Sequence, residues 1–316
     1  MGTGRTIGLG LNGSAWGNDF SFNYYNPFYT TTGMGRGFDA YYQSIRPRHL
    51  NVSVYTSSRM GGDVNYNVPL GDTSSFQFGY GYQGLSIQNA GSVQQVQNFV
   101  REFGYNFDQI RLTSGWSRNS YDQMPYPTQG VNQQGAIAFS LPANKYALNY
   151  FKINYQAHLY QPLVHGFIFT ALGNIGFGNT YHNQGLPFFE NFFAGGIAQP
   201  GQVRGYESYS LGPQDNHGNA IGANLLLNGS AGVVLPYPVS RETLRTTLFI
   251  DAGNVFIQGT PSALSGSPAG PMRFSGGVSV DWRSPFGPLA ISLAAPLNPQ
   301  PRDQAQYFQF SMSSGF

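Results

Sequence analysis

Alternation of apolar and polar side chains, repeated segment after segment, constrains this chain more than any other feature. Phe76, Phe78, Tyr80 and Tyr82 interleave with Gln77, Gly79, Gly81 and Gln83. Phe151, Ile153, Tyr155, Ala157 and Leu159 interleave with Lys152, Asn154, Gln156 and His158, and Phe274, Val278, Val280 and Trp282 with Ser275, Ser279, Asp281 and Arg283. A period of two is the mark of a strand with unlike faces. In a soluble sandwich the apolar face would be core; in a membrane barrel it would meet lipid, with the polar face lining the lumen. Composition separates the two. Only 9% of residues are charged, while 16% are aromatic, against roughly 25% charged in ordinary soluble domains. A water-exposed surface so poor in charge would disperse badly. No run of roughly 18 apolar residues exists, so a transmembrane helix is excluded. A closed barrel, whose backbone groups pair between strands, is the remaining way to span a bilayer.

Fourteen such segments are expected, near 4–14, 18–27, 34–45, 51–68, 74–87, 105–121, 130–142, 148–162, 166–180, 218–235, 243–256, 271–284, 287–296 and 305–316. Pro69-Leu-Gly-Asp72, Pro236-Tyr-Pro238 and Pro285-Phe-Gly-Pro288 break strands and read as short periplasmic turns. Longer connections at 88–104, 181–217 and 257–270 read as external loops, the first with one or two helical turns over 94–103. No internal repeat or linker divides the chain, so residues 1–316 are expected to form one transmembrane domain. A net charge of +2 without a basic run gives no reason to expect nucleic acid. With no cysteine, thiolate chemistry, cysteine-based metal sites and disulfides are excluded together. Residues 1–20 show no signal peptide.

One stretch fits neither a strand nor a soluble loop. Phe188-Phe-Glu-Asn-Phe-Phe-Ala-Gly-Gly196 is followed at once by Gln202-Val-Arg-Gly-Tyr206, a charged arginine among small and aromatic residues. It resembles the inward-folded loop of the BamA-like assembly factors of the bacterial surface antigen superfamily. Phe249-Ile-Asp-Ala-Gly253 resembles that family's Phe-x-Asp-x-Gly strand. Trp282-Arg-Ser-Pro-Phe-Gly-Pro-Leu289 resembles its penultimate hairpin, and Phe308-Gln-Phe310 through Phe316 its closing strand. The four matches occur in family order.

The resemblance implies an all-β, antiparallel transmembrane barrel in the outer membrane of a Gram-negative bacterium, with about 14 strands present of the family's 16. Met1–Gly4 matches the turn entering the family's third strand, so the first hairpin and the periplasmic POTRA domains are expected to be missing from this sequence. Residues 181–217 would fold into the lumen, carrying Val203, Arg204, Gly205 and Tyr206 at the tip, with Asp251 as partner of Arg204. Alternation independently points Phe249 and Asp251 inward. A glutamate that faces this arginine in many family members is replaced by Gly232, so that either one anionic contact is lost or Glu190 or Glu207 takes its place. Phe308, Phe310 and Phe316 would form a C-terminal assembly signal. Expected partners are the outer-membrane bilayer, unfolded outer-membrane protein clients and, through POTRA domains, periplasmic lipoproteins and chaperones. The implied function is folding and insertion of other barrels, without catalytic residues, metal or cofactor. Two other functions stay open: a polypeptide transporter of the same superfamily (two-partner secretion or TamA-like), and a passive porin whose lumen carries Arg111, Lys152, Arg245 and Arg283.

Several motifs point elsewhere and fail on context. Gly8-Leu-Gly-Leu-Asn-Gly13 and Gly79-Tyr-Gly-Tyr-Gln-Gly84 spell the dinucleotide fingerprint but sit inside alternating segments with no helix following. His49, His158, His165, His182 and His217 have no helical i, i+4 pair for zinc.

Overall fold

In the computed structural model, residues 4–14, 17–45, 56–89, 94–143, 149–181, 186–215, 218–237, 239–240, 243–259, 270–285 and 287–312 are described. Among the described residues sixteen strands occur in chain order: β1 (Thr6–Ser14), β2 (Gly17–Asn26), β3 (Gly35–Ile45), β4 (Thr56–Pro69), β5 (Ser74–Asn89), β6 (Asn106–Asn119), β7 (Gly130–Pro142), β8 (Tyr150–Pro162), β9 (Ile168–Thr180), β10 (Gly205–Tyr206), β11 (Leu225–Val234), β12 (Leu244–Phe256), β13 (Arg273–Ser284), β14 (Gly287–Pro296), β15 (Ala305–Gln306) and β16 (Phe308–Met312). Fourteen of them build one sheet, each antiparallel to its chain neighbour, in the order β1 to β9, then β11, β12, β13, β14 and β16. The other two, β10 and β15, pair as a small ribbon of their own.

The sheet is turned inside out relative to a soluble protein. Ile7, Leu9 and Leu11 of β1 are 69%, 72% and 78% exposed, and the alternate apolar rows of β5, β6, β12 and β16 are exposed as well. The opposite face carries buried Gln83, Gln109, Ser140, Asn174, Asp251, Ser279 and Gln309. The chain is therefore an antiparallel transmembrane β-barrel with lipid-facing apolar rows and a polar interior. Contacts across the interior show the curl. Arg59 of β4 and Lys152 of β8, with three strands between them, both grip Glu190.

Connections segregate by length. Residues 27–34, 70–73, 120–129, 163–167, 235–243 and 285–286 join strands at one end, the periplasmic one by the rule that its turns are short. The long connections, including 181–224 and 297–307 less their strands, lie at the other end. Between β5 and β6 runs α1 (Gln94–Phe103), matching the helical turns expected over 94–103. Its Val96, Phe99 and Val100, at i, i+3 and i+4, are buried, as such spacing on one helix face requires. They pack in one cluster with Phe107, Phe188 and Phe189.

Two expected strands are shorter than the alternation implied. The segment placed at 218–235 enters the sheet only at Leu225, because residues 218–224 form the return limb of the long loop: Ala223 and Phe192 exchange backbone hydrogen bonds of 3.0 and 2.8 Å. The segment placed at 305–316 divides. Ala305 and Gln306 pair with loop residues Tyr206 and Gly205, and among the described residues the ladder with β14 runs over Phe308–Met312. Residues 51–55 of the fourth expected segment lie outside the described residues.

Candidate functional site

The connection from β9 to β11 turns back into the barrel instead of projecting from it. Its descending and returning limbs are stitched by isolated bridges, Phe192 to Ala223, Ala194 to Leu211 and Gly196 to Val203. Phe188, Phe189, Phe192, Val203, Tyr206 and Leu211 are all buried. An aromatic-rich loop is stable here because the polar lumen wall supplies few apolar contacts, so these side chains pack on one another and on α1.

Arg204 stands at the tip. Its Nε donates to Asp251 Oδ2 at 2.8 Å and its Nη2 to Oδ1 at 2.7 Å, a two-pronged pair. The Arg204 backbone N–H donates to the same Oδ2 at 3.0 Å. Nη2 also donates to Ser230 Oγ at 2.9 Å and Nη1 to Ser279 Oγ at 3.2 Å. The guanidinium carbon lies 3.2 Å from the Phe249 ring centroid. Asp251 is 0% exposed and Arg204 7%. A buried ion pair holds only when its remaining donors are satisfied, and here two serines and a ring face do so.

This geometry explains the spacing in Phe249-Ile-Asp-Ala-Gly253. All three odd positions face inward. Phe249 stacks on the guanidinium, Asp251 binds it, and Gly253 makes room for the tip, since a Cβ there would lie 2.6 Å from Val203 Cγ2 and 2.7 Å from Asn228 Cβ. Gly205 has φ +89°, a left-handed conformation open to glycine but strained for other residues. Tyr206 is fully buried and its hydroxyl donates to the Phe274 carbonyl at 3.1 Å. Gln309 Nε2 of β16 donates to the Tyr206 carbonyl at 2.6 Å.

Neither suggested substitute for the family glutamate meets Arg204. The groups that fill in are Ser230 and Ser279. Glu190 serves a different anchor at the root of the loop, where Oε1 lies 3.4 Å from Arg59 Nη2 and Oε2 3.1 Å from Lys152 Nζ. The same two cations donate to the Phe189 and Glu190 carbonyls at 2.7 and 2.8 Å. Glu207 contributes its backbone N–H to the Gln304 carbonyl at 2.8 Å. Phe308 and Phe310 sit in β16 on the exposed lipid-facing row; Phe316 lies outside the described residues, as do His49, His182 and His217. His158 meets the Thr170 hydroxyl at 2.9 Å.

Burial alone would raise the Glu190 pKa, but Arg59 and Lys152 outweigh it and hold the carboxyl below the usual glutamate range. A carboxyl with a depressed folded pKa stabilises above its unfolded value and loses that stabilisation as pH falls through the folded one. The loop root is therefore expected to stay anchored at pH 5 and to loosen only as pH falls below the ordinary glutamate range. Amide exchange at Phe189–Phe192 across an acid series checks this. Equal protection at every pH down to acid unfolding would contradict it.

Sequence reasoning missed a second obstruction, at the periplasmic end. The β6–β7 connection, residues 120–129, reaches past β8, β9 and β11 to the far wall. Tyr126 Oη donates to the Asp281 carbonyl at 3.0 Å and the Thr243 carbonyl at 3.3 Å, while Arg245 Nη2 donates to the Pro127 carbonyl at 2.6 Å. Asp122 shapes the strap by accepting from the Thr128 and Gln129 amides at 2.9 and 3.2 Å. Against a desolvation that raises it, these bonds and the one from the Thr128 hydroxyl bring the Asp122 pKa down to about 2.

An antiparallel barrel whose own loop fills the lumen, locked there by a buried arginine–aspartate pair, defines a class of outer-membrane protein. The chain belongs to the Omp85 superfamily, whose domain matches residues 1–316. It is 30% identical to the outer membrane protein assembly factor BamA of Neisseria meningitidis serogroup B, over 100% of this chain and 44% of that protein. The chain thus spans less than half the length of this curated relative. Among solved structures, BamA from Haemophilus ducreyi lacking POTRA domains 1–3 superposes with a TM-score of 0.85 at 21% identity, covering 98% of this chain and 64% of that one. CdiB from Escherichia coli gives 0.54 at 11% identity, covering 93% and 55%. Both superpositions speak to the fold. The chain is an outer-membrane β-barrel of BamA type.

Proposed function

We propose that this chain is the membrane-embedded part of an outer-membrane protein assembly factor, which folds and inserts other β-barrels. The observation that carries the reading is the Val203-Arg204-Gly205-Tyr206 tip locked on Asp251, in a chain whose full length aligns with a BamA relative. Nothing in this role calls for covalent chemistry. A seam between the first and last strands that opens laterally would expose backbone donors and acceptors, to which an incoming strand adds by β-augmentation. The free energy comes from the client's own folding. In this reading the Arg204 lock braces the interior while the wall yields at its seam. Unfolded outer-membrane proteins are the clients, and periplasmic lipoproteins and chaperones act through POTRA domains.

A passive pore is the less favoured reading, because the inward loop and the 120–129 strap both cross the lumen. Of the four lumenal cations that would suit a porin, three are engaged: Arg111 with Gln83 at 3.0 Å, Lys152 with Glu190, and Arg245 with Pro127.

The test is client folding in liposomes carrying this chain, followed by the gel-mobility shift of a folded barrel. The chain is expected to speed client folding over empty liposomes, and Arg204→Ala to reduce the gain. Stable, size-selective conductance without acceleration would transfer the assignment to a porin.

A further inference from the structure

Charge on the lipid-facing surface is distributed unevenly. Arg36 is the second residue of β3, at the periplasmic end, and shares the outward row of Phe38 and Tyr42. It stands opposite Asn26 of β2 on one side and Tyr66 of β4 on the other. Arg5 is exposed and continues the outward alternation of Ile7, Leu9 and Leu11 in β1. Because Thr6 pairs with Tyr25, Arg5 falls beside Asn26 from the other edge of β2. Two arginines thus bracket one asparagine across three adjacent strands. Neighbouring strands lie about 4.8 Å apart, so β1 and β3 are separated by about 10 Å, a gap that two long side chains reaching toward each other can close around one small anion.

Among the described residues nothing neutralises this pair. Among the described residues neither arginine makes an ion pair, and Asp72 in the next turn reaches neither. The Arg36 Nε is buried without a hydrogen-bond partner. Its guanidinium is nonetheless held in place, 3.9 Å from the Tyr29 ring centroid and 4.8 Å from that of Phe38. Those rings belong to an aromatic belt that includes Tyr24 against Phe38 at 6.1 Å, Tyr29 against Tyr66 at 6.2 Å and Tyr66 against Phe78 at 5.0 Å. Aromatic belts mark the depth of the lipid headgroups. A cation fixed on ring faces at that depth, with no ion-pair partner among the described residues, is complementary to a phosphodiester.

We propose that Arg5, Asn26, Arg36 and Tyr29 form a binding site for the phosphate of an anionic phospholipid in the periplasmic leaflet. The Asn26 Oδ1 is already occupied by the Phe28 amide at 3.2 Å, which leaves its NH2 group to donate to a phosphate oxygen. The turn that follows exposes Phe28 and Tyr29. The site is independent of client folding and of the lumenal lock.

The test is lipid retention. The chain is placed in bilayers of phosphatidylcholine with a minority of phosphatidylglycerol, extracted in mild detergent, and the co-purified lipid is quantified by mass spectrometry. Phosphatidylglycerol is expected to be enriched, and Arg5→Gln and Arg36→Gln each to lower the enrichment about fivefold, the effect of one surface arginine on anionic lipid. Arg101→Gln, on α1 at the opposite end, is expected to leave it unchanged. Wild-type protein without a preference for phosphatidylglycerol overturns the proposal whether or not the variants fold, as does a folded double variant that keeps the preference. If Arg36→Gln fails to fold, Arg5→Gln, which lies outside any strand, carries the comparison. Extraction in inorganic phosphate separates the two sources of a phosphate group. Lipid retained under that competition supports the proposal; a site emptied of lipid by free phosphate at parity with phosphatidylglycerol overturns it.

Discussion

Asp251→Ala is expected to destabilise the folded barrel by about 3–5 kcal/mol, the range for removing one partner of a buried ion pair. Arg204 would be left in a space almost closed to water with two serine hydroxyls and a ring face as company. The loss comes from stranding a charge more than from losing attraction. It follows that the double variant Arg204→Ala/Asp251→Ala should be more stable than Asp251→Ala alone, since the orphaned cation is gone. Urea midpoints followed by tryptophan fluorescence decide the matter. A double variant as unstable as the single one would mean that the loss comes from the missing interaction itself and not from a stranded charge.

Tyr206→Ala is expected to have an effect of similar size, about 3–5 kcal/mol for removing a fully buried aromatic side chain. Tyr206 is 0% exposed and stands where the loop touches β13 through the Phe274 carbonyl and β16 through Gln309. Tyr206→Phe separates the two contributions. It keeps the ring and removes one hydrogen bond, so about 1 kcal/mol is expected. If Tyr206→Phe were as damaging as Tyr206→Ala, the hydroxyl bond and not the packing would be what fastens the tip.

How far the sequence reaches is best judged by particular residues. Strand alternation was legible because lipid exposes one face of every strand; Phe76 to Gln83 could be assigned to two faces from residue type alone, and β5 places them so. Arg204 and Asp251 could be paired because alternation turns Asp251 inward and the loop resemblance supplies the arginine. Ser230 and Ser279 could not, since serines are scattered through the whole polar lining and none carries a mark of its partner. The Glu190 anchor joins residues far apart in sequence, on β4 and β8, which only the curl of the sheet brings together. The strap at 120–129 left one trace: a ten-residue connection with Asp122, Pro125 and Pro127 is longer than the tight turns at the same end. Where β11 and β16 begin was hidden because loop residues bordering them also pair, with the loop in place of the sheet.

The β10–β15 ribbon has a consequence for timing. Gly205 and Tyr206 are hydrogen-bonded to residues about a hundred positions later, at the end of the last long connection. Contacts so distant in sequence are slow to form, because the intervening chain must first be brought together. The inward loop therefore cannot finish docking until the final strand has been delivered to the wall. A barrel that has lost or misplaced β16 would leave the loop half-seated and its aromatic segment accessible. Completion of the wall at the C-terminal edge and closure of the interior become one late event, so a protease that attacks the loop reports whether the last strand has arrived.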